Sequence, residues 1–65
     1  MWVEFMTVRN AYVAETWTEM FAAEGLSVRV IPPIGRGEAA SMRAERTLYV
    51  PTGKAHVARE ILRKI

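Results

Sequence analysis

The sequence is 65 residues long and carries a formal net charge of +2, from nine Lys or Arg against seven acidic residues, all of them Glu. This length predicts one domain over residues 1–65, and a core in a chain below about 70–80 residues usually needs a disulfide, a metal or self-association for support. The sequence has no Cys and one His, His56, which excludes disulfides and thiol nucleophiles and predicts neither a metal site nor a cofactor. Self-association remains open.

The N-terminal third predicts a strand followed by a helix. The strand spans Trp2–Val8, whose residues are mostly β-branched, aromatic or apolar. Asn10 is a suitable N-cap for the helix, because its side-chain oxygen can accept from free backbone N–H groups of the first turn. Gly25 predicts the helix end, since glycine readily enters the left-handed conformation, and Leu26 is placed to contact Phe21 as in a Schellman cap. The helix should bury one apolar stripe: Val13, Trp17, Met20 and Phe21.

The rest of the chain predicts two more strands and a second helix. Alternation from Leu26 to Ile31 indicates the second strand, which ends at Pro32. The third spans Thr47 to Val50, and Pro51 stops it. Thr52 or Gly53 is the expected cap of the last helix, whose inward residues should be Val57, Ala58, Ile61, Leu62 and Ile65. Between these strands, the 32–46 connection is either a mobile functional loop or contains a short helix, and the sequence does not decide between them.

These elements predict an α+β, two-layer βαββα sandwich. Both helices would cover one face of a three-stranded antiparallel sheet with strand order 1-3-2, a ferredoxin-like arrangement that lacks the last strand. The first strand would then be an unpaired edge. Strict alternation predicts the helix-facing residues Val3, Phe5, Val28, Val30, Leu48 and Val50, and it places these residues on the uncovered face: Trp2, Glu4, Met6, Val8, Arg29, Ile31, Thr47 and Tyr49.

Three segments carry a resemblance to a known family: the opening MWVEFMTVRNAYVAE, the AAEGLSVRV junction and the closing LYVPTGKAHVAREIL. The chain resembles, over nearly its full length, a small and mostly uncharacterised bacterial family of prokaryotic signal-transducing proteins with a fold like that of the nitrogen-regulatory PII proteins. The resemblance implies a PII-like or ferredoxin-like βαββα fold, and it places residues 32–46 where PII proteins contact their partners. It transfers no catalytic or ligand-binding residue.

The function favoured by these patterns is a cytoplasmic, non-enzymatic regulatory or interaction module that forms a homodimer or binds a protein partner. A catalytic grouping is not expected, because Asp and Cys are absent and His56 falls on the outer side of the last helix. No segment has the roughly 20 apolar residues of a membrane span. The candidate interface on the uncovered face consists of Trp2, Met6, Val8, Ile31 and Tyr49.

Two alternatives remain. The first is single-stranded nucleic-acid binding, in which Trp2 and Tyr49 would stack on bases, although Glu4 on the same face and the absence of an RNP-like motif disfavour nucleic acid. The second is a sensor of small anionic ligands, in which Arg36, Arg43 and Arg46 of the 32–46 loop would converge on a carboxylate or phosphate.

Overall fold

The computed structural model describes residues 1–32 and 43–64 and shows the predicted α+β layout. Its elements are β1 (Trp2–Val8), α1 (Ala11–Ala23), β2 (Arg29–Ile31), β3 (Arg46–Pro51), a 3-10 turn (Thr52–Lys54) and α2 (Ala55–Arg63). The strands form one antiparallel sheet in the order β1-β3-β2, so the predicted topology is confirmed. The choice between a mobile loop and a short helix concerns residues that lie mostly outside the described ranges. No helix within those ranges is long and apolar enough to cross a membrane.

The two ends of α1 form as the sequence predicts. The Asn10 side chain accepts a 2.9 Å hydrogen bond from the backbone N–H of Val13, which satisfies one of the free donors of the first turn. At the other end Gly25 has φ +86°, and its N–H donates to the carbonyl of Ala22 at 2.9 Å. Leu26 N–H donates to the Phe21 carbonyl at 2.9 Å and the two side chains pack in the same cluster, which completes a Schellman cap.

The core lies between the sheet and both helices. Phe21, Leu48 and Val50 are fully buried, and the cluster around Phe21 includes Ala58 and Ile61 of α2. Both helices therefore cover the same face of the sheet, which we call the helix side. Half-buried side chains from β1, β2, both helices and the connection between α1 and β2 complete the two clusters: Phe5, Met6, Val13, Trp17, Val28, Val30, Ala55, Val57 and Leu62.

A β-bulge in β1 changes which residues face the helices. Glu4 is opposite Tyr49 and Met6 is opposite Leu48, so Phe5 is an extra residue in β1 with no partner of its own on β3. Phe5 and Met6 both pack against the core as a result. Strict alternation predicts that Met6 and Val8 lie on the uncovered face. This prediction is wrong, because the bulge moves every later residue of β1 to the opposite face of the sheet.

Two predicted boundaries also move. The second strand begins at Arg29 instead of Leu26, because Leu26 belongs to the cap of α1 and its N–H is already bonded there. The last helix begins at Ala55 and has no side-chain cap. Thr52, one of the two expected caps, instead donates to the Met1 carbonyl from both its backbone N–H, at 2.8 Å, and its hydroxyl, at 3.1 Å. This pair of bonds ties the start of β1 to the end of β3.

Candidate interaction surface

No part of the chain that the structure describes covers the face of the sheet opposite the helices. Residues directly opposite one another in a ladder lie on the same face, so the register defines this surface. It consists of three rows: Trp2 and Pro51; Glu4, Tyr49 and Arg29; Thr7, Thr47 and Ile31. We call these eight residues the open face. It combines two aromatic rings with one acidic and one basic side chain, and is less apolar than strict alternation predicts.

Trp2 and Arg29 form a contact between side chains of the two outer strands. The guanidinium carbon of Arg29 lies 4.6 Å from the centroid of the Trp2 ring, which is the geometry of a cation–π interaction. Because β3 lies between β1 and β2, the two side chains meet across the middle strand. Such contacts contribute about 0.5–1 kcal/mol at exposed sites, so this one favours the paired arrangement of the two side chains by a factor of roughly 2 to 5 before any partner arrives.

The other end of the open face is more polar. The hydroxyl oxygens of Thr7 and Thr47 are 3.2 Å apart, across the β1–β3 ladder. Ile31 completes this row on β2 and exposes 47% of its surface. The open face thus has an aromatic end at Trp2 and Tyr49, and a threonine end with one exposed aliphatic side chain.

The structure separates the five residues of the predicted interface into two groups. Trp2, Ile31 and Tyr49 lie on the open face, as expected. Met6 and Val8 do not: both pack on the helix side with Leu48, and Val8 is only 6% exposed. No sequence signal marked the bulge that moves them.

The predicted interface omitted five residues of the open face: Glu4, Thr7, Arg29, Thr47 and Pro51. Alternation along the second strand already placed Arg29 on this face, but its contact with Trp2 depends on the spatial order of the strands. Pro51 was expected only to end the third strand, yet it is the final residue of β3 and lies opposite Trp2.

The predicted arginine cluster loses one of its members. Arg46 is the first residue of β3 and is fully buried, because its position opposite Val8 turns its side chain to the helix side. Its Nη1 donates to the carbonyl oxygens of Ala44, at 2.7 Å, and Glu45, at 3.2 Å. The expectation that Arg46 is a loop residue aimed at an exposed anion is therefore wrong. Arg43 is exposed, and Arg36 lies outside the described residues.

The outer edge of β1 is a second candidate surface, but it is protected. Within the described residues β1 pairs only with β3, so about every second residue of this seven-residue strand presents unpaired backbone N–H and C=O groups along its outer edge. The bulge at Phe5 interrupts the regular spacing of those groups near the centre of the strand, and the exposed Glu4 lies beside it. Bulges and charged side chains are the devices by which edge strands avoid pairing with other chains. The open face has no comparable protection.

Two surface grooves lie away from the sheet face. The larger, about 430 Å³, runs along the C-terminal end of α1, and the smaller, about 300 Å³, lies between the ends of α1 and α2. Lys64 and Glu24 line the smaller groove and form a 4.0 Å ion pair. Among residues 1–32 and 43–64, no three His or Glu side chains come close enough together to hold a metal ion. His56 is exposed on α2.

Comparison of the chain with protein-family models, with curated proteins and with solved structures found no match. The resemblance to the signal-transducing family stays a prediction. The register of the strands defines which residues form the open face, and the contacts of their side chains define how these residues are arranged.

Proposed function

We propose that this chain is a non-enzymatic protein-interaction module that binds its partner through the open face. The observation that carries the proposal is the arrangement of Arg29 over Trp2, with Tyr49 opposite Arg29 on the middle strand. Trp, Tyr and Arg are the residue types that contribute most to binding energy in protein interfaces. All three lie together on the one sheet face that the helices leave uncovered.

The open face favours binding through the restricted motion of its side chains as well as through their types. Association costs free energy for every long side chain that must be immobilised, and the cation–π contact already restricts Arg29. Backbone pairing restricts the strands on which all three residues lie. A partner therefore meets a largely preformed surface. A regulatory, signal-transducing role in a bacterial cytoplasm follows from the family resemblance and belongs to the same proposal.

The test compares the proteins that the tagged chain retains from its own cells when one exposed aromatic ring is removed. Trp2→Ser removes a ring from the open face, and Tyr12→Ser removes one from α1, where Tyr12 is 61% exposed. Circular dichroism first establishes that both variants fold. We expect Trp2→Ser to lose partners that the unchanged chain and Tyr12→Ser retain. If all three retain the same proteins, the open face is not the binding surface.

Single-stranded nucleic-acid binding is a second candidate, and one observation favours it. Trp2 and Tyr49 lie on adjacent strands of the same face with a basic side chain beside them, an arrangement suited to stacking bases. Two features oppose it. The Arg29 guanidinium already covers the Trp2 ring, and Glu4 lies directly opposite Tyr49, where it repels phosphate.

Trp2 fluorescence separates the two candidates. In Trp17→Phe the only indole is Trp2, so quenching by a mixed pool of single-stranded oligonucleotides reports on the open face alone. Nucleic-acid binding predicts quenching that weakens as salt rises, because phosphate contacts release counterions. An unchanged signal at low salt removes this candidate.

A further inference from the structure

The helix layer separates negative from positive charge. Residues 11–24, which cover α1 and its C-cap, contain three Glu and no Lys or Arg. Residues 54–64, which cover α2 and its two cap residues, contain four Lys or Arg and one Glu. These segments therefore carry formal charges of −3 and +3, and their helices pack into one core cluster on the same face of the sheet.

Four basic side chains form the positive region, which we call the α2 patch: Lys54, Arg59, Arg63 and Lys64. All four residues are exposed. Arg59 and Arg63 are four residues apart, so they lie on one face of α2 and about 6 Å apart along its axis. Ala58 and Ile61 hold another face of α2 in the core, which keeps the two arginines directed away from it.

Contacts within the chain leave much of this positive charge available. Arg59 forms no ion pair with any residue of the described ranges 1–32 and 43–64. Arg63 lies 3.6 Å from Glu60, and both side chains are more than 60% exposed. Lys64 is 4.0 Å from Glu24. Exposed pairs of this kind contribute little to stability, so carboxylates of a partner can replace them at small cost.

We propose that the α2 patch binds an acidic segment of a protein partner. Charge complementarity carries the inference, and two observations favour carboxylates of a protein over phosphates. Residues 54–64 contain no Trp, Tyr or Phe, the rings on which single-stranded bases stack. A nucleic-acid duplex or a membrane is broad enough to reach α1 as well, where the exposed Glu15 and Glu19 repel phosphate.

This inference goes beyond the proposed function, because the α2 patch and the open face lie on opposite sides of the sheet and share no residue. The chain would then hold one partner on each side. The two surfaces can be tested separately.

Fluorescence anisotropy with a dye-labelled oligoglutamate peptide tests the α2 patch, and titration to about 1 mM protein covers the Kd range of weak complexes. We expect binding that weakens as salt rises. Arg59→Gln/Arg63→Gln should raise the Kd at least about fivefold. Gln has a helix propensity close to that of Arg, so α2 should stay folded, which circular dichroism verifies. Arg9→Gln/Arg43→Gln removes the same charge from exposed positions outside α2 and should bind like the unchanged chain.

Glu60→Gln provides a change in the opposite direction, which a loss of structure would not produce. It removes the carboxylate that competes for Arg63 and makes the patch more positive, so the Kd should fall roughly two- to threefold. NMR locates the bound peptide independently of any substitution. The amide signals of residues 54–64 should shift as peptide is added, while those of the open face should not.

Failure of the peptide to bind overturns the proposal, as does an equal rise in Kd for the two double variants. Tighter binding of a single-stranded oligonucleotide of equal charge, or of vesicles containing phosphatidylserine, would assign the patch to phosphate instead of an acidic protein. Trp2→Ser leaves the patch intact and should not alter peptide binding. If it weakens binding as much as Arg59→Gln/Arg63→Gln does, the α2 patch is not a separate site.

Discussion

Phe5 contacts Phe21 edge to face, with ring centroids 5.9 Å apart and ring planes at 81°. The contact joins the first strand to the centre of the core, because Phe21 is fully buried and also stacks against Trp17 at 5.8 Å. Aromatic pairs of this kind contribute about 0.5–1.5 kcal/mol beyond the area that they bury. The bulge at Phe5 lets β1 direct Phe5 and then Met6 toward the helices, while Thr7 returns to the open face.

The bulge predicts which residues of β1 tolerate a charge. Met6→Lys places an ammonium group among apolar side chains and should lower the free energy of unfolding by about 2 kcal/mol or more. Thr7→Lys, one residue further, should change it by less than about 0.5 kcal/mol, because Thr7 is exposed. Urea unfolding followed by circular dichroism measures both. If Thr7→Lys is the more destabilising variant, strict alternation describes β1 and the bulge is contradicted.

The Schellman cap predicts a difference between two glycines. Gly25 has φ +86° and open space around its Cβ position, so Gly25→Ala meets backbone strain without a steric clash. We expect a loss of about 1–2 kcal/mol in the free energy of unfolding. Gly53 also has open space but no positive φ, so Gly53→Ala should be neutral or slightly stabilising. Equal thermal shifts for the two variants would show that the positive φ is unimportant.

The N-cap of α1 predicts a graded response at Asn10. Asn10→Ala removes the acceptor of the Val13 N–H and should cost about 1 kcal/mol of unfolding free energy. Asn10→Asp keeps an acceptor in the same place, and its negative charge interacts favourably with the helix N-terminus, so it should retain the stability of the unchanged chain. Thermal unfolding distinguishes them. A destabilised Asn10→Asp would contradict the role of this hydrogen bond.

Burial of Arg46 predicts a structural role for this side chain. Arg46→Ala removes hydrogen bonds to the carbonyls of Ala44 and Glu45 together with a fully buried side chain, and should cost about 2 kcal/mol or more. Arg43→Ala, at an exposed position, should cost less than about 0.5 kcal/mol. Chemical denaturation compares the two variants. If Arg46→Ala leaves the free energy of unfolding unchanged, Arg46 is not buried and belongs to the exposed loop.

Local patterns in the sequence predicted the elements and the topology, whereas contacts between distant segments were harder to predict. Asn10 and Gly25 mark the ends of α1 by short-range chemistry, which the sequence shows directly. The bulge at Phe5 has no such local mark, because it depends on how β1 fits β3. One unpaired residue was enough to misplace Met6 and Val8 and to leave two-fifths of the candidate interface wrong. Arg46 was misplaced for a similar reason, since its burial follows from its pairing with Val8.

The strand order also determines when the sheet can form during synthesis. Both β1 and β2 pair only with β3, which is the last strand in the chain, so neither has a described ladder partner until residues 46–51 have been made. The helix α1 depends on local hydrogen bonds and can form on the nascent chain, but the residues of Trp2–Val8 must wait for partners that lie 38 to 49 residues away. Such long-range pairing slows folding and leaves strands exposed meanwhile. Glu4 can therefore protect the unfinished chain as well as the folded one, whereas the bulge protects the edge only after β1 has paired with β3.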